Sequence, residues 1–331
     1  MSKILLFIIL ILILLLVIKA RKHIDSFMFK ETIIKNVTFL NSNEGCKYYK
    51  NDSSYFNRMN TKDKSARKNK KNDCSLIKSN WTDEEKNVCK SMINIGKNNL
   101  QMYYPLQQHI IFTPWIFVKV SDKMENGFPH THGNAIFLSE SFLNDLVKTD
   151  DNLQDKYKRI GHVIIHEKVH VWQKENPSVF DTLYIKFLSI KKVNLSKQAQ
   201  KWFENKSRTN PDGLDLNWAY YDEFDNQYYI LISLWNKDNP TSLGDVQNVG
   251  IEVVSDSAKQ SWKLKEDSNA NIPIIPITRL PNWKEEIGLS SNHYHPNEIS
   301  AEAIAKLSIS STSLPKSLKN KIDLWVSSIP Y

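Results

Sequence analysis

Residues His166-Glu167-Lys168-Val169-His170 lie inside the apolar stretch Val163 to Trp172, and no other pattern in this 331-residue chain restricts it as tightly. Ile160, Val163, Ile164, Val169, Val171 and Trp172 flank or interleave the motif, which predicts a largely buried helix. Positions four apart on a helix share a face, so the His166 and His170 imidazoles project together with Glu167 beside them. Two imidazoles and a carboxylate in a buried helix need partners, and one zinc ion satisfies both rings at once. The competing reading, two surface histidines on an amphipathic helix, fits poorly with the apolar flanks. Lys168 projects about 200° around the helix from His166, so it is expected to point away from the histidines and snorkel to solvent.

A catalytic zinc takes a third protein ligand and leaves a fourth position to water. The best source lies far downstream, where His295 to Leu307 opens with Pro296 at a first helical turn and continues in strong helix formers. Glu298 and Glu302 are four apart and share a face, which suggests a cation or histidine nearby; an ordinary solvated acidic face is the alternative. Gln173, three residues after His170, lies on nearly the same face and can support that ligand, or be a plain surface amide.

An H-E-x-x-H helix followed by a second helix bearing N-E-x-x-x-[DE] resembles the gluzincin group of zinc metallopeptidases. That resemblance implies His166, His170 and Glu298 as zinc ligands and Glu302 as the carboxylate that orients a bound histidine. It also implies hydrolysis of a peptide or protein substrate, with Glu167 as general base for a zinc-activated water. Two departures stand out: Lys168 occupies a position that is usually uncharged, and about 127 residues separate His170 from Glu298. An insertion must therefore fold out between the helices. The strings His166 to Gln173 and His295 to Glu302 are also similar to segments of uncharacterised peptidase-like proteins of large DNA viruses, and the Asn-, Lys- and Ile-rich composition agrees.

Such chemistry also needs a donor aimed at the developing oxyanion. His293, Tyr294 and His295 are the nearest candidates, with Tyr294 preferred. Upstream, residues 134 to 139 read as a short strand that resembles the substrate-pairing edge of zincin folds. His130 and His132, in the loop before it, are expected to face solvent.

The apolar run Ile4 to Ile18, bounded by Lys3 and by Lys19, Arg21 and Lys22, fits a single membrane anchor over residues 4 to 20 better than a cleaved signal peptide. The heavier positive charge after the run favours a cytosolic body; five N-x-[ST] sequons, at Asn36, Asn51, Asn80, Asn194 and Asn205, count only weakly against it. Cys46, Cys74 and Cys89 permit at most one internal bridge. A net charge of +8 raises nucleic-acid binding, but the basic run from Asn57 to Cys74 lacks interleaved aromatics and reads as a mobile loop.

The expectation is an α+β, zincin-like chain: an anchor over 1–22, a leader with its basic loop over 23–95, and a catalytic domain over 96–331. Pro211-Asp212-Gly213 marks a turn opening a β-rich insertion over 211–280, with strands at 227–235 and 246–254. The chain would be a single-pass protein of a host membrane or virion. The alternative is a degenerate zincin domain with a structural or binding role there.

Overall fold

A computed structural model describes residues 36–67, 73–148, 151–212, 215–289, 291–310 and 314–329. The expected anchor lies outside the described residues; among those described, no helix is long and apolar enough to cross a membrane.

The chain is α+β, with two sheets. The first is mixed. Strands β1 (Val37–Leu40), β3 (Trp115–Val120) and β5 (Ala135–Ser139) run parallel, while β2 (Ile77–Lys78) pairs antiparallel with the end of β3 and β4 (His130–His132) antiparallel with β5. Every residue of β5 is buried, as expected for a strand with neighbours on both edges and cover on both faces. Segment 134–139 is therefore an interior strand and not the expected edge. The edge is β4, whose three residues are too few to show alternation. His130 and His132 lie on this strand and are buried, 2% and 0% exposed, which corrects the solvent-facing expectation. His132 Nδ1 meets Asp52 Oδ2 at 2.9 Å, and His130 Nδ1 is 2.8 Å from the Phe128 carbonyl.

The H-E-x-x-H motif lies on the helix Val163–Glu175, and the second helix, Pro296–Leu307, packs against it. His295 caps the second helix: its Nδ1 accepts the Asn297 N–H at 3.2 Å, and Pro296 follows at the first turn. The small buried residues Ala301, Ala303 and Ala305 keep that helix slim, and Ile164, Val169, Ile299 and Ile304 join one apolar core. Helix Asp83–Asn99 also packs on the motif helix, and Gly96 permits this contact: a Cβ there would stand 2.6 Å from Ile165 Cδ1.

The second sheet is antiparallel, in the order β10-β9-β8-β7-β6, with β11 also on β9. Its strands are β6 (Ile190–Lys192), β7 (Trp218–Asp222), β8 (Gln227–Trp235), β9 (Val246–Asp256), β10 (Ser261–Leu264) and β11 (Ile274–Pro276). The strands expected at 227–235 and 246–254 are β8 and β9, registered from Tyr228 opposite Val253 to Trp235 opposite Val246. Residues 211–280 thus carry β7 to β11, and β6 from outside that range completes the sheet.

Residues 36–95 contribute to the body of the fold through β1, β2 and helix Asp83–Asn99. The first part of the expected basic loop is folded as well: Ser53–Arg58 and Thr61–Ala66 are helical, and Arg67 is buried between Asp63 and Glu125. Residues 68–72 lie outside the described residues. Cys46 and Cys74 form a disulfide across this region, and Cys89 is a buried free thiol.

Candidate metal centre

The two helices bring His166, His170 and Glu298 together, with all three ligand atoms within 4.8 Å of one another. His166 Nε2 and His170 Nε2 are 3.0 Å apart, and Glu298 Oε2 lies 3.4 Å from the first and 3.6 Å from the second. The three residues are 6%, 0% and 2% exposed. Such a buried His/His/Glu group can bind a metal ion.

The outer faces of these ligands are also occupied. His170 Nδ1 donates to Gln173 Oε1 at 2.8 Å, which leaves Nε2 as the lone-pair nitrogen. The Gln173 amide nitrogen donates across the helix interface to the Asn297 carbonyl and to Ser300 Oγ, each at 2.8 Å, so the orientation of the side chain follows from its partners. Tyr184 reinforces this junction through its hydroxyl, 3.1 Å from Asn297 Oδ1. Glu302 Oε2 faces His166 Nδ1 at 3.5 Å, too long and poorly aligned for a hydrogen bond, and is held by Asn292 Nδ2 at 3.1 Å.

Burial alone would favour neutral imidazoles. For His166 the nearby Glu298 and Glu302 carboxylates outweigh burial and raise its pKa well above the ordinary value; for His170 the Glu298 charge does the same. The histidines in turn hold Glu298 well below the usual carboxylate range against its burial, and His166 holds Glu302 at about 2. Glu167 moves the other way: burial first, then the nearby Asp212 charge, push it up to about 8. Its Oε2 is buried and has no hydrogen-bond partner.

Tyr294 is 7% exposed, and its hydroxyl oxygen accepts from Asn210 Nδ2 at 2.8 Å and from Arg208 at 3.1 Å. With both acceptor positions used, the hydroxyl keeps its own proton, and the Glu298 carboxylate beside it accepts that proton as a hydrogen bond. Asn210 Nδ2 also donates to Glu298 Oε1 at 2.7 Å, tying the tyrosine to the ligand group. The other two candidates do structural work: His293 Nδ1 bonds the Leu289 carbonyl, and His295, besides capping its helix, bonds the Asp215 carbonyl through Nε2.

Lys168 points away from the histidines, as helix geometry requires, but it does not snorkel. It is fully buried, its Nζ donates to the Pro114 carbonyl at 2.6 Å and lies 4.8 Å from the Trp115 ring centre, and burial pulls its pKa down to about 7.

Sequence reasoning missed Arg208, Asn210, Asp212, Lys174 and Thr131. Asp212 Oδ1 accepts from Thr131 N at 2.9 Å and from Thr131 Oγ1 at 2.7 Å. Lys174 Nζ donates to the Thr131 carbonyl at 3.3 Å. Side chains thus take both main-chain groups of the central residue of β4. Asn210-Pro211-Asp212 carries an ordinary turn signal, and nothing in its spacing links it to the motif helix. Lys174 sits one turn past His170 on an apolar helix, a usable sign of a part-buried amine that needs acceptors.

Comparison with known proteins returns no match: no family model fits the chain, no curated protein is similar to it, and no solved structure matches it.

Proposed function

We propose that this chain is a zinc-dependent metallopeptidase of the zincin type, attached to a membrane through residues 4–20 and hydrolysing peptide bonds in a peptide or protein substrate. The observation that carries this reading is the convergence of His166 Nε2, His170 Nε2 and Glu298 Oε2 at mutual distances of 3.0, 3.4 and 3.6 Å. Ligands about 2.0–2.1 Å from a tetrahedral zinc stand about 3.4 Å from each other, so the donor set fits that ion without rearrangement. The choice of two imidazoles and one carboxylate favours zinc over calcium or magnesium, which prefer oxygen alone.

His166, His170 and Glu298 would hold the metal, with Gln173 fixing the His170 imidazole by a hydrogen bond and the Glu302 carboxylate facing His166 from behind. Bound zinc supplies an acidified water and a Lewis acid for the scissile carbonyl. Glu167, with a buried oxygen free of partners, accepts the proton of the attacking water and returns it to the leaving amine. Tyr294, its oxygen saturated by Asn210 and Arg208, would turn its proton from the Glu298 carboxylate toward the oxyanion.

A second reading has its own observation. Asp212 and Lys174 occupy the outward main-chain groups of Thr131, where an extended substrate would pair, and Glu167 is only 4% exposed. A degenerate zincin domain with a structural or binding role would look like this. Glu167→Gln separates the two. In the peptidase reading, cleavage of a peptide library falls by at least about 100-fold while the metal stays bound. Wild-type protein that holds zinc and cleaves nothing supports the degenerate reading, and cleavage that survives the substitution refutes the assigned role of Glu167.

A further inference from the structure

The Asn210 and Tyr294 side chains that meet the metal centre also line a cavity of about 610 Å³, a size suited to a few peptide residues. Four charged side chains line it: Arg58, Arg208, Glu204 and Asp215. Arg58 is offset by the carboxylates of Asp52, Asp215 and Asp212, and Glu204 Oε1 accepts from Gln200 Nε2. Among the described residues, Arg208 has no such complement.

Arg208 is held firmly in place. Ser207 bridges to Leu234 on β8, and the Arg208 N–H donates to the Ser233 carbonyl at 2.9 Å. One terminal nitrogen of the guanidinium donates to the Tyr294 hydroxyl, and the group stands 5.6 Å from the Tyr294 ring centre. Its Nε is buried with no acceptor, and no carboxylate among the described residues pairs with it. A guanidinium offers five donors in a planar fork, and leaving a buried donor unmet is costly. Its natural complement is a carboxylate taken by two parallel bonds. The rival approach to the metal, strand addition along β4, is occupied by Asp212 and Lys174.

We propose that this cavity is a substrate subsite that binds a peptide carboxylate through Arg208, beside the metal centre. The carboxylate comes either from an acidic side chain near the scissile bond or from a free C-terminus. The proposal rests on the metallopeptidase reading for its role in catalysis, though binding itself can be measured without turnover.

The test uses the full chain carrying Glu167→Gln, with zinc content measured in every sample. The probes are acetyl-Ala-Ala-Glu-Ala-Ala-amide beside its Gln counterpart, and acetyl-Ala-Ala-Ala with a free or an amidated C-terminus, titrated calorimetrically. At least one acidic member is expected to bind about tenfold or more tightly than its neutral twin. A preference in the first pair identifies a side chain as the source, and in the second pair the C-terminus. Adding Arg208→Gln should reduce the preference below about threefold, whereas Arg208→Lys, which keeps the charge but not the fork, should retain part of it. Equal or undetectable binding of both members in each pair overturns the proposal, as does a preference that survives Arg208→Gln. Zinc-loaded protein without a preference removes the subsite alone; a preference in protein that takes no zinc keeps the subsite and removes the metallopeptidase reading.

Discussion

His170 and Gln173, one helical turn apart, are joined by a 2.8 Å hydrogen bond that directs the imidazole's other nitrogen at the shared ligand position. The same glutamine spans to the second helix, so a single side chain orients one candidate ligand and fastens the helix carrying another.

Gln173→Leu keeps the bulk and removes both functions. The expected result is zinc affinity lower by about 10- to 100-fold, with secondary structure retained. Competition against a calibrated chelator measures it, and an unchanged affinity would mean that His170 is held by packing alone.

Lys168 carries a cost that the fold can shed. Its pKa falls from 10.5 to about 7 because burial penalises the ammonium. The depressed value means that the associated stability is present above pH 10.5 and is lost as pH falls toward 7. Lys168→Met should therefore raise stability near pH 7 by about 2 kcal/mol, the shift being partly offset by the lost bond to Pro114. The gain should shrink as pH rises toward 10, which urea titrations of variant and wild type at pH 7, 8 and 9 would read. A variant that is less stable at every pH would show that the bond to Pro114 outweighs burial.

Asp63 holds the segment leading to Asn210. It is fully buried, pairs with Arg67, and accepts from Thr209 N at 3.0 Å and Thr209 Oγ1 at 2.7 Å. Asp63→Ala strands the Arg67 charge, which also contacts Glu125, and should cost about 3–5 kcal/mol in chemical denaturation. A loss below about 1 kcal/mol would mean that Glu125 alone satisfies the arginine.

These residues show where reading the sequence stopped. Spacing of three and four along two helices brings out His166, His170, Gln173, Glu298 and Glu302, because helix geometry converts sequence distance into direction. Apolar runs likewise locate β8 and β9. What covers a side chain is a tertiary fact: the 166–168 spacing gives the direction of Lys168 but not the Pro114 carbonyl waiting there. Strand β4 is three residues long, below the length at which alternation is readable, so its neighbour β5 looked like the edge. In the basic stretch, charge composition suggests solvation, although Asp63 and Arg67 stand four apart, the spacing of an ion pair across one helical turn, with Arg67 as the C-cap of the short helix. The approach of Asn210 and Asp212 to the second helix and to β4 depends on the path of the chain through a whole second sheet, which no local pattern encodes.

The Cys46–Cys74 disulfide closes a loop with a sequence separation of 28. Loop-closure entropy for that length corresponds to about 3–4 kcal/mol, so Cys46→Ser with Cys74→Ser should lower stability by that order under oxidising conditions and have little further effect under reducing ones. Thermal melts with and without reductant check this. Equal melting of wild type in both conditions would indicate that the bridge adds nothing to the folded state.

The most direct test of the metal centre is elemental analysis of the purified chain beside His166→Ala, Glu298→Ala and Glu167→Gln. About one zinc per chain is expected in the wild type and in Glu167→Gln, falling several-fold in each ligand variant. Wild-type protein without metal, or zinc that persists in both His166→Ala and Glu298→Ala, would contradict a site built from these helices.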